Sequence, residues 1–419
     1  MVRLKADTTY VAKSKRAGRR TDRERRVRVA AEVPIMRVSC AAIMMLCLLA
    51  APSAQTAKQI VRPLPGQTPP YSLAIKAGGT IYVAGQLPTD DKGNLVQGDI
   101  TVQARQVFDN LRAVLGKAGS SLDNVVSATV MLQSAADFPA LDALYRQQFA
   151  GDPPARTTVI GSMVRPGALI EIQVTAVPSG APRKAILPGG WAKPTSPYSY
   201  AIQSGDTLYM SGLVSRSGKD NSQVQGDIAT QVKTIMDNAG EILKAAGMAY
   251  GDLVAGHVAL RDMKLFAPMN DAYRVYWEKD RPARVSCQVS PPGTFDVEIT
   301  FVAIKGSSPR EVIIPARADG TPGQSGPNFS PAIRVGNRLF ISGGIGSTDK
   351  NAGDMKAQTA ETLTRFGPAL KAAGFTYQDI VAADVYVPDM LSRSRDVPAH
   401  SEPSAIAPVY VSVLSLSVA

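Results

Sequence analysis

The chain has 419 residues, of which 45% are apolar and 19% charged, so it is long enough for two to four ordinary domains and too apolar for a disordered polyelectrolyte. Its formal charge of +11 is unevenly spread: residues 1–35 hold 11 Lys/Arg against 4 Asp/Glu, which leaves only +4 for the rest. A near-neutral remainder without an arginine-rich helix or interleaved aromatics excludes a nucleic-acid-binding face.

After Met36 the sequence runs through Arg37, a mostly apolar stretch from Cys40 to Ala51, and small residues through Ser53 and Ala54 to Ala57. This is the three-part pattern of a secretory signal peptide, and it is too short for a stable membrane anchor. The expectation is export, periplasmic or extracytoplasmic, with cleavage within about residues 51–57. The alternative is an uncleaved basic leader and a cytoplasmic protein. Cys40 and Cys47 lie in this leader, so a processed chain keeps Cys287 as its single cysteine and forms no internal disulfide. His257 and His400 lack the Cys/His spacing of a metal site. His257, inside the strand-like Ala255–Leu260, reads as structural, so the chemistry falls to Arg, Glu, Tyr, Ser, Asn and water.

From there one unit recurs. Pro70-Tyr71-Ser72 returns as Pro197-Tyr198-Ser199, and Gly98-Asp99 returns as Gly226-Asp227 and Gly353-Asp354. Ala118-Gly119 returns as Ala246-Gly247 and Ala373-Gly374, at offsets near 127 residues. A period of that length is domain-sized, so the expected layout is a leader over residues 1–57 and tandem domains over 58–180, 181–308 and 309–419.

Within a unit, Tyr71–Lys76 and Thr80–Gln86, separated by Ala77-Gly78-Gly79, read as a hairpin. A helix follows: Ile228, Val232, Ile235, Met236, Ala239, Ile242, Leu243 and Ala246 recur at helical spacing, and Gly247 is placed to end it. Next come a strand (Asn124–Leu132; Leu253–Leu260), a second helix (Phe138–Phe149; Leu265–Trp277) and two closing strands. The order ββαβαββ predicts an α+β domain with helices on one face of a single sheet. The other face needs a partner, which tandem copies supply.

The closing strands carry the candidate site. Pro154-Ala155-Arg156 precedes a strand bearing Glu171, and Pro282-Ala283-Arg284 precedes one bearing Glu298. Arginine grips a small carboxylate through two parallel hydrogen bonds, and a nearby glutamate orients or deprotonates water. The reading places cation and carboxylate on neighbouring strands of one unit. Taken singly, each charge also fits a solvent-facing strand position; their recurrence together favours a ligand site.

These residues, with Val83-Ala84-Gly85-Gln86-Leu87-Pro88, Asp137-Phe138, Pro154-Ala155-Arg156-Thr157 and Ile170-Glu171-Ile172, resemble the RidA (YjgF-type) enamine/imine deaminases, related in fold to chorismate-mutase-like proteins. The resemblance implies hydrolysis of small 2-imino acids to 2-keto acids and ammonia, in clefts between subunits of a trimer, without metal or organic cofactor. Three tandem copies would then form a monomeric pseudo-trimer. By position, Arg284 would clamp the carboxylate, Glu298 would activate water, and Tyr198, Ser211, Asn270 and Ser286 would line the pocket. The first unit keeps Tyr71, Arg156, Thr158 and Glu171 but has Ala84 for the usual Ser and Asp142 for the usual Asn. The cleft of Arg284 is therefore expected to dominate. In the third unit the pattern fails after Asp389-Met390: Leu391–Pro408 and the strand-like Val409–Leu416 offer no matching Arg or Glu, as a shifted reading frame or a degenerate domain would both produce. The second functional class kept open is a non-catalytic module binding a small carboxylate or a protein partner.

Overall fold

A computed structural model describes residues 58–62, 71–149, 151–317, 319–386 and, for the backbone, 410–417. The signal-peptide reading and the segment 391–408 lie outside the described residues. Among those described, no helix is long and apolar enough to cross a membrane.

Each repeat builds one sheet. In the first, β1 (Gln59–Val61), β2 (Ala74–Ala77) and β3 (Thr80–Gln86) lead into helix α1 (Ile100–Lys117), β4 (Val125–Leu132), helix α2 (Phe138–Gln148), β5 (Ala155–Ile160) and β6 (Ile170–Ala176). The second repeats this with β7 (Lys184–Ile186), β8 (Ala201–Ser204), β9 (Thr207–Met210), α3 (Ile228–Ala245), β10 (Leu253–Leu260), α4 (Phe266–Tyr273), β11 (Ala283–Gln288) and β12 (Val297–Ile304). The third has β13 (Arg310–Ile313), β14 (Ala332–Val335), β15 (Arg338–Ile345), α5 (Met355–Ala372), β16 (Ile380–Tyr386) and β17 (Tyr410–Ser417).

The short proline-bounded lead before each hairpin is itself a strand. β1 pairs with β2, β7 with β8 and β13 with β14, so a complete unit has one strand more than the hairpin-first reading gave it. Asp99, Asp227 and Asp354 cap the three long helices by accepting from the backbone N–H three residues on. This satisfies a donor that a helix start leaves open, which explains why Gly-Asp recurs there.

The sheet order is β1-β2-β3-β6-β4-β5 in the first unit and the same in the second, β7-β8-β9-β12-β10-β11. β5 joins β4 in parallel, which requires the crossover helix α2, while β6 returns antiparallel on the other side of β4. The central strand therefore separates the arginine strand from the glutamate strand of the same unit. This corrects the expectation that the two are neighbours.

Helices cover one face of each sheet. α1 packs Val107, Phe108, Leu111 and Leu115 on Ile81, Val130 and Ile172, and α3 packs Val232, Ile235, Met236 and Leu243 on Leu208, Val258 and Ile299. The bare faces meet through smaller apolar clusters. Val126, Ala155 and Val177 join Ile202 at the first junction, and Val254, Ala255 and Ile304 join Ile333 and Phe340 at the second. The third unit also touches the first, where Lys58 Nζ donates to the carbonyls of Gln378 and Ile380 at 2.7 and 2.8 Å.

Candidate functional site

The junctions are pinned by serines. Ser211 Oγ donates to the Ser199 carbonyl at 2.6 Å and accepts from the Arg156 N–H at 2.8 Å, across the boundary between units one and two. Ser342 repeats this with the Ser330 carbonyl and the Arg284 N–H, at 2.7 and 2.8 Å. Ser211 is fully buried and its hydroxyl is engaged on both sides, so it positions the arginine strand rather than facing a ligand. Ala84, at the same place in the first unit, has no hydroxyl for such a pin.

Across the first junction lies a cleft with both charges. Arg156, 4% exposed, extends from β5 over the rings of Phe138 and Tyr145, at 5.4 and 4.8 Å from their centroids. Facing it from the second unit is Glu298, also 4% exposed, whose carboxylate accepts from the Thr158 backbone N–H. Gly212 makes room for it: a Cβ there would overlap Glu298 Oε1, and the Gly212 N–H itself bonds the Arg156 carbonyl at 3.2 Å. Burial pushes the Glu298 carboxyl up to about 8, against the opposing pulls of the Thr158 N–H and the Arg156 charge. Tyr198 borders the same cleft, its hydroxyl pushed up chiefly by burial, with Arg156 and Glu298 both within electrostatic reach. Arg156 Nη1 and Glu298 Oε2 are buried without a protein partner. Buried polar atoms are rarely left so, and here they mark the place a ligand would fill.

One neighbour works against an anionic ligand. Asp142 Oδ1 lies 2.8 Å from Arg156 Nη2 and neutralises part of the clamp. The matching residue in the second unit is Asn270, whose Oδ1 accepts from Arg284 Nη2 at 2.5 Å without adding charge.

The Arg284 cleft is built differently. Arg284 is 3% exposed and sits among Phe266, Tyr273 and Phe329, at 5.8, 4.8 and 5.4 Å from the ring centroids, with Nε and Nη1 unpartnered. Ser286 is half-buried two residues along the same strand. Glu298 is not here. The partner unit is the third, and its strand β17 takes the sheet position of β6 and β12 beside β15 and β16. The seventh residue of the central strand faces Glu171 in the first unit (Met131) and Glu298 in the second (Ala259). In the third it is Tyr386, and it faces Tyr410. A tyrosine thus holds the register position of the glutamate.

The structure therefore brings together Arg156, Thr158, Tyr198 and Glu298 from two units, and Arg284, Asn270 and Ser286 with the third unit's Phe329. Glu171 and Tyr71 belong to the edge that faces neither: burial raises the Glu171 carboxyl, Gly85 gives it the room Gly212 gives Glu298, and Tyr71 is exposed. The sequence-based pairing of Arg284 with Glu298 is corrected to Arg156 with Glu298. Phe329 is not among the site residues expected from the sequence, although Phe329-Ser330-Pro331 opens the third unit as Tyr198-Ser199 opens the second.

Interdomain clefts that join a buried arginine of one repeat to the strand edge of the next define a tandem α+β protein with its candidate sites between repeats. The chain belongs to the family described as Endoribonuclease L-PSP, whose model matches residues 63–178, 191–305 and 323–402, and it is a tandem-repeat member of the RidA/YjgF group. A RutC family protein of Pyrococcus horikoshii is 44% identical over 108 residues, covering 26% of this chain and 86% of the relative. The 3-aminoacrylate deaminase RutC of Acinetobacter baylyi is 38% identical over 122 residues, covering 28% of this chain and 97% of the relative. Among solved structures, yeast Mmf1 is 33% identical and covers 29% of this chain and 100% of its own, with a TM-score of 0.28.

Proposed function

We propose that the protein hydrolyses small reactive enamines and imines derived from amino acids to 2-keto acids and ammonia, and that it does so in the Arg156–Glu298 cleft. Membership of a family that includes a 3-aminoacrylate deaminase supports the reaction class. The observation that carries the site is the pairing of a buried guanidinium with a buried carboxyl, each with an unpartnered atom, across one junction. Arg156 takes the substrate carboxylate. Glu298, held protonated near neutrality, gives its proton to the enamine carbon or the imine nitrogen, and the carboxylate so formed draws a proton from the water that attacks the C=N carbon. The tetrahedral intermediate then loses ammonia as the C–N bond breaks and the carbonyl forms. Thr158 holds the carboxyl through its backbone N–H, and Tyr198 closes the pocket wall.

A second reading, binding without turnover, is favoured for the Arg284 cleft alone. It has an arginine with two free nitrogens and an uncharged Asn270, but a tyrosine in the glutamate register. Such a pocket suits a small carboxylate that is held and not hydrolysed.

The test generates 2-aminoacrylate or 2-iminopropanoate in situ and follows its loss with the protein added. Faster loss with the wild type, abolished in Glu298→Gln, is the expected result. Decay unchanged by micromolar wild-type protein would leave only the binding reading.

A further inference from the structure

On its inner side Glu298 borders a second space. The bare faces of the three sheets leave between them a cavity of ≈ 130 Å³, lined by residues of all three repeats. Three aromatic residues line it from equivalent places, since Tyr82, Tyr209 and Phe340 are each the third residue of their strands β3, β9 and β15. Tyr386 adds a fourth ring.

The fifth residue of each central strand also faces this space, as Thr129, His257 and Asp384. Three identical subunits would repeat one residue at all three places, whereas a fused chain can put a carboxyl at only one. Asp384 bonds to Gln173, and burial pushes its carboxyl up to about 6.

The basic side chains of the described lining do not answer the Asp384 carboxyl. Arg338 is committed to Asp206 at 2.5 Å and to Thr207 Oγ1 at 2.7 Å. Burial pushes the His257 imidazole down to about 4, so it stays neutral. Aromatic rings attract a cation through their faces, and a carboxylate in a site shielded from water is stabilised by an opposite charge.

We propose that this cavity binds a small organic cation, an alkylammonium, between the aromatic rings and the Asp384 carboxylate. Its size suits roughly six heavy atoms, since a dry cavity of about 150 Å³ holds benzene. The site does not rest on the deaminase reading, because neither Arg156 nor an imine enters it.

Calorimetric titration of the full chain with tetramethylammonium, and with tert-butanol as a neutral molecule of the same size, tests it. Saturable binding of the ammonium alone is expected, weakened at least about tenfold, or 1.4 kcal/mol, in Asp384→Asn. Ala382→Leu, which fills the cavity and leaves Asp384 in place, should abolish it. Thermal melts establish that each variant is folded, and if Asp384→Asn is not, Ala382→Leu and the tert-butanol comparison decide. No saturable binding up to about 10 mM ammonium would overturn the proposal. So would equal binding of tert-butanol, or ammonium binding untouched by a folded variant.

Discussion

Glu298 owes its altered acidity to burial, and this has a consequence that does not depend on turnover. Its carboxyl titrates at about 8 in the folded chain and near the ordinary 4.5 once unfolded. Between those values the unfolded chain has released a proton that the folded chain still holds, so raising the pH favours unfolding. Stability should fall across that window by up to ~1.4 kcal/mol per pH unit, with the loss complete above about 8. Urea melts of the wild type should show the slope, and Glu298→Gln should lack this component. Asp142 makes a second prediction at this scale. Asp142→Asn removes the carboxylate lying 2.8 Å from Arg156 and supplies the neutral residue found at Asn270. KM for a 2-imino acid should fall about tenfold, the scale of one charge-assisted hydrogen bond. An unchanged or higher KM would mean that Asp142 does not compete for the clamp.

Among the elements, the strand edges decide what meets what. Ser211 and Ser342 each accept one hydrogen bond from the arginine strand of the preceding unit and donate one to a carbonyl of their own unit. Ser211→Ala or Ser342→Ala leaves a buried carbonyl and a buried N–H unmet, which should cost about 1–3 kcal/mol for each group in denaturant unfolding. Gly212→Ala should cost more in activity than in stability, because its Cβ displaces the Glu298 carboxyl. Helix caps, hairpins and the Arg and Glu strands were legible in the sequence, since helical periodicity, Gly-Asp entries and Pro-Ala-Arg are local signals. Strand order was not. Nothing local in Ala155–Ile160 or Ile170–Ala176 says that one pairs in parallel and the other antiparallel on opposite sides of β4. That arrangement sends Arg156 toward the second unit and separates it from Glu171. The loss of the glutamate was legible as a missing residue in the third unit, but its effect on Arg284 required the register of Tyr410.

In the whole molecule, the three repeats carry unequal junctions. The first has the Arg156–Glu298 pair and the second has Arg284 with Tyr410 in the register of the glutamate, while the first and third units meet through Lys58. Because every unit already contacts both others, the chain should be a monomer in solution, its repeats acting as the subunits of a pseudo-trimer. A stable trimer of whole chains by light scattering would contradict this. The central claim, that chemistry belongs to the first junction, is tested most directly by kcat/KM for Arg156→Ala and Arg284→Ala with 2-iminopropanoate made in situ. Truncating a buried charge that grips a substrate carboxylate costs about 2–5 kcal/mol, or roughly 30-fold to several thousand-fold. Arg156→Ala should show that loss and Arg284→Ala should keep most of the wild-type value; the reverse ranking would contradict the account.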